Sequence, residues 1–200
     1  MALYNGSIGK GFKINMNALK WLGARVIFIP TLAWNVLLGK VLRIRHWWDF
    51  IDDQVIVGAF PFWFDVAAMA EDGVQAVVNT CNEYGGPVKQ YDQFGIEQLR
   101  VPTIDFTAPS LDSIQRGVEF IQQHVEQNHN VYVHCKAGRG RSATIALCWL
   151  MAHRDMTPDQ AQAYLLSKRP HVHSTLPART VVKEYWGMLQ AREEQVAIED

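Results

Sequence analysis

The segment VYVHCKAGRGRSATIALCWLM, residues 131–151, restricts the possible folds more than any other part of the chain. A β-branched run, a polar loop and a long apolar run follow one another, which predicts a buried strand, a tight loop and a buried helix. The loop carries Cys135 and leads directly into the helix. Because the first amides of a helix have no partner within it, they point at whatever lies before the helix. The segment therefore predicts an α/β fold with a ligand site at a helix N-terminus.

The rest of the chain repeats this alternation. Four apolar segments rich in β-branched residues predict buried strands, at residues 54–58, 74–79, 96–102 and 131–134. Helical patterns lie at residues 64–72, 111–127, 142–152, 157–166 and 181–189. Strands that alternate with helices predict an α/β domain, in which helices flank a central and mostly parallel sheet.

Composition excludes several classes of protein. The chain has 200 residues, 48% of them hydrophobic and 20% charged, so it can bury a core and is not disordered by composition. Its three cysteines do not suit a disulfide framework and favour a reducing compartment. The sequence gives no sign of an oligomer, and we expect a monomer.

The formal net charge of −1 hides an uneven distribution. Residues 1–48 contain seven Lys or Arg and no Asp or Glu, whereas the remaining residues carry a formal charge of −8. A basic leader on an acidic body suggests attraction to an anionic surface. Trp21, Trp34 and Trp47, three of the tryptophans of the leader, favour a membrane interface over nucleic acid.

We therefore divide the chain into a basic, apolar leader at residues 1–48, which associates with a membrane or acts in targeting, and a catalytic domain at residues 49–200. The longest charge-free run of the leader, residues 26–39, is too short to span a bilayer. The alternative is that the leader simply packs on the domain. The two possibilities are compatible.

The loop combines the groups that phosphoryl transfer through a thiol requires. Cys135 is the candidate nucleophile, and a helix N-terminus with neighbouring cations lowers the pKa of such a thiol. Arg141, six residues later, offers a planar fork for two phosphate oxygens. The hydroxyl of Ser142 can donate to the sulfur, and His134 is expected to hold the loop by hydrogen bonding. Backbone amides would surround the phosphate as a nest formed by Lys136, Ala137, Gly138, Arg139, Gly140 and Arg141.

A leaving alkoxide needs a proton from another loop. Asp105 in VPTIDFTAP is the candidate, since it directly follows a predicted strand. The alternative for this residue is a solvated aspartate in a turn. The side chains of Lys136 and Arg139 add two cations near the loop, which favours an acidic lipid substrate unless they are only solvated.

The remaining cysteines and histidines have plainer interpretations. Cys148 lies in the apolar helix and is predicted to be a core residue. Cys81 ends a predicted strand and either packs in the core or acts as a resolving thiol. His171 and His173 do not form a metal site without further ligands, and the sequence predicts neither a metal nor a cofactor.

The segment HCKAGRGRSAT resembles the HCxxGxxRS/T signature of the cysteine-dependent dual-specificity phosphatases. The resemblance covers about residues 50–190, including the aspartate after the strand and the RP element in SKRPHVHSTLP. It implies the dual-specificity phosphatase fold, a phosphocysteine on Cys135, phosphate binding by Arg141, and Asp105 as general acid and then base. It implies no metal.

Within that family the chain is most similar to the mitochondrial lipid phosphatases that act on phosphatidylglycerophosphate. The similarity lies in RVIFIPTLAWNVLLGKV before WWDFIDDQVIVGAFPF, in NEYGG and in CKAGRGRSAT. It implies a phosphatidylglycerophosphate phosphatase with Glu83 and Tyr84 in a substrate loop. The enzyme would act on the matrix face of the mitochondrial inner membrane in a eukaryote, or on the cytoplasmic face of the inner membrane in a bacterium.

Other functions remain open from the sequence alone. A protein phosphatase or a phosphoinositide phosphatase of the same fold would use the same loop. A catalytically inactive phosphate-binding adaptor is disfavoured, because the cysteine, the arginine, the serine and a plausible acid are all present. A sulfurtransferase fits less well with a serine after Arg141 and an upstream aspartate.

Overall fold

A five-stranded sheet forms the centre of the protein. The computed structural model describes residues 28–199. Its strands are β1 (Trp48–Phe50), β2 (Val55–Gly58), β3 (Val74–Cys81), β4 (Glu97–Thr103) and β5 (Asn130–His134). The strand order is β1-β2-β5-β3-β4, with β1 antiparallel to β2 and every other neighbouring pair parallel. The predicted α/β domain with a mostly parallel sheet is confirmed.

Helices cover both faces of the sheet. The described part of α1 covers residues 28–36 and continues into a π-helical turn, Leu37–Val41, while a 3-10 turn, Trp63–Asp65, precedes α2. The other helices are α2 (Val66–Glu71), α3 (Val88–Phe94), α4 (Leu111–Glu126), α5 (Arg141–His153), α6 (Pro158–Lys168) and α7 (Thr180–Glu199).

Two cores follow from the alternation of side chains along the strands. Val55 and Val57 of β2 belong to the larger core, which α4, α5, α6 and α7 complete. Ile56, between them, belongs to the smaller core, to which α2 contributes Val66 and Met69. The helix α5 is buried nearly all round, as its uniformly apolar sequence predicts.

Local signals predicted several element ends correctly. Thr157 caps α6, because its hydroxyl accepts from the amide of Gln160 and its own amide donates to the Gln160 side chain, at 3.4 and 2.9 Å. The sequence did not reveal β1 or α3. The first is only three residues long and lies at the sheet edge, and the second buries only Tyr91, so neither has a strong hydrophobic pattern.

The described part of the leader packs against the domain. Phe28 is buried with its ring 6.1 Å from that of Phe60, and the indole of Trp47 donates to the Phe60 carbonyl at 3.0 Å. Lys40 forms an ion pair with Asp65. Among residues 28–199, no helix is both long and apolar enough to cross a membrane. Residues 1–27, which include Trp21 and four of the seven basic residues of the leader, lie outside the described part of the chain.

Arg169, from the RP element, connects the sheet edge to the loop that carries Cys135. It is 1% exposed, pairs with the Asp49 carboxylate of β1, and donates to the carbonyls of Gly138 at 2.9 Å and Ala137 at 3.3 Å. Gly138 has φ +65°, and a Cβ there would lie 2.6 Å from the Gly58 backbone. Only glycine therefore fits between β2 and Arg169.

Replacing Arg169 should destabilise the protein strongly. Arg169→Gln leaves the Asp49 carboxylate and the loop carbonyls without their charged donor, so we expect the free energy of unfolding to fall by about 3–5 kcal/mol. Arg169→Lys keeps the charge but not the planar fork and should lose less. Urea denaturation measures both variants. Arg116→Gln, at an exposed pair with Asp112, is the control and should change stability by less than about 0.5 kcal/mol. A loss of under 1 kcal/mol in Arg169→Gln contradicts this role.

Candidate active site

Cys135 lies between the end of β5 and the first turn of α5, as predicted for the loop. Its side chain is 4% exposed at a cavity of about 360 Å³. The sulfur accepts hydrogen bonds from the Gly138 amide at 3.2 Å and from the Ser142 hydroxyl at 3.3 Å. The loop thus directs several donors at one sulfur.

These donors determine the ionisation of the thiol. Burial alone raises the pKa of Cys135, but the Arg141 guanidinium, the Ser142 hydroxyl and amide, and the Ala137 amide outweigh it and lower the pKa to about 6. The thiol is therefore largely a thiolate at neutral pH, which is the nucleophilic form.

Arg141 is the most connected charge in the site and is 3% exposed. One guanidinium nitrogen, Nη1, donates to the Thr103 carbonyl at 2.7 Å and to the Glu83 carboxylate at 2.9 Å. The other, Nη2, lies 3.0 Å from a carboxylate oxygen of Asp105. The nearby thiolate and carboxylates raise its pKa despite burial, so it stays charged.

Asp105 is mostly buried and paired, so it is not a solvated turn aspartate. Its second oxygen forms an ion pair with Lys136, and its backbone amide donates to Glu83 at 3.0 Å. Lys136, 5% exposed, also donates to the Thr31 hydroxyl of α1 at 2.7 Å. The structure therefore brings the candidate acid to the cysteine loop, and Lys136 is not merely solvated.

The cavity gathers most of the predicted site residues. Those that line it are Asp105, Cys135, Lys136, Ala137, Arg139, Gly140 and Arg141. Glu83 and Tyr84, expected in a substrate loop, do not line it. Glu83 instead lies behind Arg141, while Tyr84 stacks on Phe60 at 3.8 Å and donates to the Pro61 carbonyl at 2.9 Å. Both residues thus brace the site through contacts within the protein, and their place in a substrate loop stays a prediction.

His134 is fully buried beneath the loop. Its Nδ1 lies 3.4 Å from the Cys135 carbonyl, and its own carbonyl accepts from the Thr80 hydroxyl at 2.8 Å. Burial lowers the pKa of His134 to about 3, so the imidazole is neutral at ordinary pH. A general base at neutral pH would need a higher pKa and access to the cavity.

Eight lining residues escaped the sequence analysis as site residues, and two of them, Phe106 and Thr107, directly follow Asp105. The helix α1 contributes Thr31, Trp34 and Asn35, and the segment after α6 contributes His173, Thr175 and Arg179. The RP element, residues 169–170, was noted in the sequence and lies just before His173, Thr175 and Arg179, but it did not predict that these three residues line the cavity. Nothing in the sequence pointed to Thr31, which lies 105 residues from its partner Lys136.

The other two cysteines are buried and unexposed. Cys148 lies in the larger core, as predicted, and burial raises the pKa of Cys81 well above its usual value. Cys81 is therefore a protonated thiol in this state, and its role as a resolving cysteine stays a prediction. Within residues 28–199 no cluster of His, Cys, Asp or Glu is suited to hold a metal ion.

The fold and the site together define a cysteine-dependent phosphatase: a thiolate at a helix N-terminus, an arginine beside it and a carboxylate from a second loop. The catalytic domain of the dual specificity phosphatases matches residues 56–187. The chain belongs to the dual specificity phosphatase family, and within it to the group whose members are named phosphatidylglycerophosphate phosphatases.

Three relatives carry that assignment. Phosphatidylglycerophosphate phosphatase PTPMT2 of Arabidopsis thaliana is 39% identical over 88% of this chain and 80% of its own length. Human phosphatidylglycerophosphatase and protein-tyrosine phosphatase 1 is 34% identical over 84% of this chain and 89% of its own. PTPMT1 of Arabidopsis thaliana is 40% identical over 84% of this chain, which spans about half of that longer relative, 51%.

Solved structures agree with the fold. The crystal structure of PTPMT1 in complex with PI(5)P has a TM-score of 0.68 and 31% identity, covering 74% of this chain and 99% of that one. The active form of Tk-PTP has a TM-score of 0.65 and 30% identity, covering 70% and 97%.

The ionisation of Cys135 can be tested by alkylation. Because the folded pKa is about 6, the rate with iodoacetamide should rise with pH through about 6 and level off above it. Ser142→Ala removes a donor to the thiolate, so its midpoint should move up by about one pH unit. Cys135→Ser gives the background from the two buried cysteines. A wild-type midpoint near 9 would contradict the lowered pKa.

Proposed function

We propose that the protein hydrolyses the terminal phosphomonoester of phosphatidylglycerophosphate at a membrane surface, through a phosphocysteine on Cys135. The observation that carries the proposal is the convergence of the Cys135 thiolate, Arg141 and Asp105 on one cavity. The names of the similar proteins supply the substrate. The mechanism needs no cofactor.

In the first step the sulfur bonds to phosphorus and the bond from phosphorus to the glycerol oxygen breaks. Arg141 and the loop amides bind the phosphate oxygens and follow them into the transition state. The incoming phosphate competes with Asp105 for Nη2 of Arg141, because both are anions on one donor. A phosphomonoester that arrives as its monoanion passes its proton to Asp105 as this carboxylate leaves Nη2, and Asp105 then gives that proton to the leaving alkoxide.

In the second step water attacks the phosphocysteine. Asp105 takes a proton from that water, the bond between phosphorus and sulfur breaks, and the Cys135 thiolate leaves. The Ser142 hydroxyl, 3.3 Å from the sulfur, stabilises the leaving thiolate by donating to it. Glu83 has a positioning role, since it holds both Arg141 and the amide of Asp105.

Exposed apolar side chains support a membrane surface as the place of action. Trp34 and Phe106, 59% and 72% exposed, line the cavity. Trp63 and Phe64 are also exposed and follow β2, whose carboxyl end lies at the same sheet edge as the end of β5. Large exposed aromatics near basic residues are typical of interfacial proteins. We assign the protein to the reducing side of a membrane, the mitochondrial inner membrane in a eukaryote, as a monomer.

A phosphoinositide is the second candidate substrate. The similar solved structure of PTPMT1 contains PI(5)P, and a phosphoinositide also presents a phosphomonoester next to a lipid. A phosphotyrosine peptide is a third, since the human relative is named a protein-tyrosine phosphatase as well. All three would use the same thiolate, so only turnover discriminates between them.

Turnover by acid variants tests the proposed reaction. Asp105→Asn should lower kcat on phosphatidylglycerophosphate by about 10²–10⁴, the usual contribution of general acid catalysis. The loss should be smaller on an aryl phosphate, whose leaving group needs no proton. Phosphate release from vesicles and from a soluble aryl phosphate measures both, with Cys135→Ser as the inactive control.

The same assay ranks the substrates. We expect kcat/KM to be highest for phosphatidylglycerophosphate, followed by phosphoinositides and a phosphotyrosine peptide. A higher value for the peptide would overturn the lipid assignment. Equal losses on alkyl and aryl substrates in Asp105→Asn would indicate that Asp105 supports the loop and is not the acid.

Deletion of residues 1–27 tests the contribution of the leader to membrane binding. It removes Lys10, Lys13, Lys20 and Arg25 and leaves residues 28–199 in place. A cation near an anionic bilayer contributes about 1 kcal/mol, so engagement of two would make binding to anionic vesicles roughly thirtyfold weaker on deletion. Vesicle sedimentation at low and high salt measures this.

The controls are neutral vesicles and the aryl phosphate, on which the deletion should have little effect. Trp63→Ala tests the contribution of an exposed aromatic side chain that does not line the cavity, and its effect should not depend on salt. Full vesicle binding by the truncated protein at low salt would show that residues 1–27 do not engage the membrane.

A further inference from the structure

Positive charge in the cavity is balanced at one end only. Arg141 and Lys136 pair with Glu83 and Asp105. Arg139 and Arg179 line the same cavity, yet within residues 28–199 neither forms an ion pair with a carboxylate. Guanidinium groups in a partly buried site are stabilised by an anion, so this end of the cavity lacks a counter-charge.

Both guanidinium groups are held in place from one side. Arg139 donates through Nε to the His171 carbonyl at 2.7 Å. Arg179 donates through Nη1 to the Thr144 hydroxyl at 2.6 Å and to the Gly140 carbonyl at 3.4 Å. These bonds use Nε of one arginine and Nη1 of the other. Among the described residues 28–199, no partner takes up Nη1 or Nη2 of Arg139, or Nε or Nη2 of Arg179, so these nitrogens remain available as donors.

The cysteine loop passes directly beside this pair. A Cβ on Gly140 would lie 3.4 Å from Nη2 of Arg179 and 3.1 Å from Cδ2 of His173. The amide of His173 also donates to the Arg139 carbonyl at 3.0 Å. The two arginines and His173 are therefore grouped around one loop residue, next to the amides that would hold the reacting phosphate.

Electrostatics supports the same grouping. Burial lowers the pKa of His173, and Arg139 and Arg179 lower it further, so the imidazole is neutral beside two cations. The pKa values of both arginines are also lowered by burial, while the Cys135 thiolate acts in the opposite direction on each. An anion bound between these arginines would offset the free-energy cost of burying their charges, which the Cys135 thiolate offsets only in part.

We propose that Arg139 and Arg179, with His173 at the edge, form a second anion subsite that binds a phosphodiester while the phosphomonoester of the same molecule occupies the Cys135 loop. This inference rests on the proposed function, because it requires a substrate that carries two phosphate groups. Cys135 and both arginines line the same cavity, so one substrate molecule can contact the loop and the subsite together. The chemistry recognised is a monoester and a diester on one small polyol, as in the head group of phosphatidylglycerophosphate or of a phosphoinositide.

The subsite predicts selectivity without any membrane. The deacylated head group, glycerophosphoglycerophosphate, carries both phosphates, whereas glycerol 3-phosphate carries the monoester alone on a similar alkyl leaving group. A charge-assisted hydrogen bond to the diester should raise kcat/KM for the former about 10- to 100-fold over the latter. If the subsite binds the diester equally strongly in the ground state and in the transition state, its contribution lowers KM and leaves kcat nearly unchanged.

The test is the ratio of kcat/KM for these two soluble substrates. Arg179→Gln should lower the ratio about tenfold, chiefly through KM, and Arg179→Lys, which keeps the charge, should restore part of it. Arg116→Gln, exposed on α4, is the matched control and should keep the wild-type ratio. Thermal unfolding of each variant establishes that it is folded.

Two outcomes overturn the subsite. One is a wild-type ratio near one. The other is an Arg179→Gln variant that loses activity equally on both substrates, because Arg179 would then act only by bracing Thr144 and Gly140. The proposed lipid substrate can fail separately. If deacylated PI(5)P is preferred over inositol 5-phosphate in an Arg179-dependent way while glycerophosphoglycerophosphate is a poor substrate, the subsite stands and the assignment to phosphatidylglycerophosphate is wrong.

Discussion

The buried guanidinium of Arg141 is the charge around which the site is arranged. A cation that is 3% exposed must be compensated, and here the Cys135 thiolate, Glu83 and Asp105 compensate it from three different parts of the chain. The same positive charge makes the thiolate possible, since it lowers a pKa that burial would raise. Nucleophile, phosphate ligand and acid therefore depend on one another through the charge of Arg141.

Residues from other parts of the chain hold the cysteine loop in place. Arg169 bonds two of its carbonyls and anchors them to Asp49 on the edge strand β1. From the opposite side, α1 reaches the loop through Thr31 and Lys136. Residues 28–36 of the leader thus form part of the wall of the active site. This position brings the membrane contact that we propose for the leader close to the catalytic loop.

Charge is divided within the cavity in a way that suits a substrate with two anionic groups. The end near Asp105 holds ion pairs that an incoming phosphate can exchange, whereas the end near Arg139 and Arg179 has donors that no carboxylate in the described part of the chain uses. A simple aryl phosphate needs only the first end. A head group with a monoester and a diester can use both, which is the physical basis of the selectivity that we propose.

The sequence by itself determined the strands and helices other than β1 and α3, the buried character of α5 and the places of Cys135, Arg141 and Asp105 after predicted strands or at the start of a helix, because periodicity and loop chemistry act over short distances. It also showed the capping of α6. Only the tertiary structure decided that Glu83 lies behind Arg141, that Thr31 bonds Lys136, and that Arg179 joins the cavity. Such contacts join residues that are far apart in the chain. They form because each buried polar group needs a hydrogen-bond partner, and a local sequence pattern does not show which distant residue will supply it.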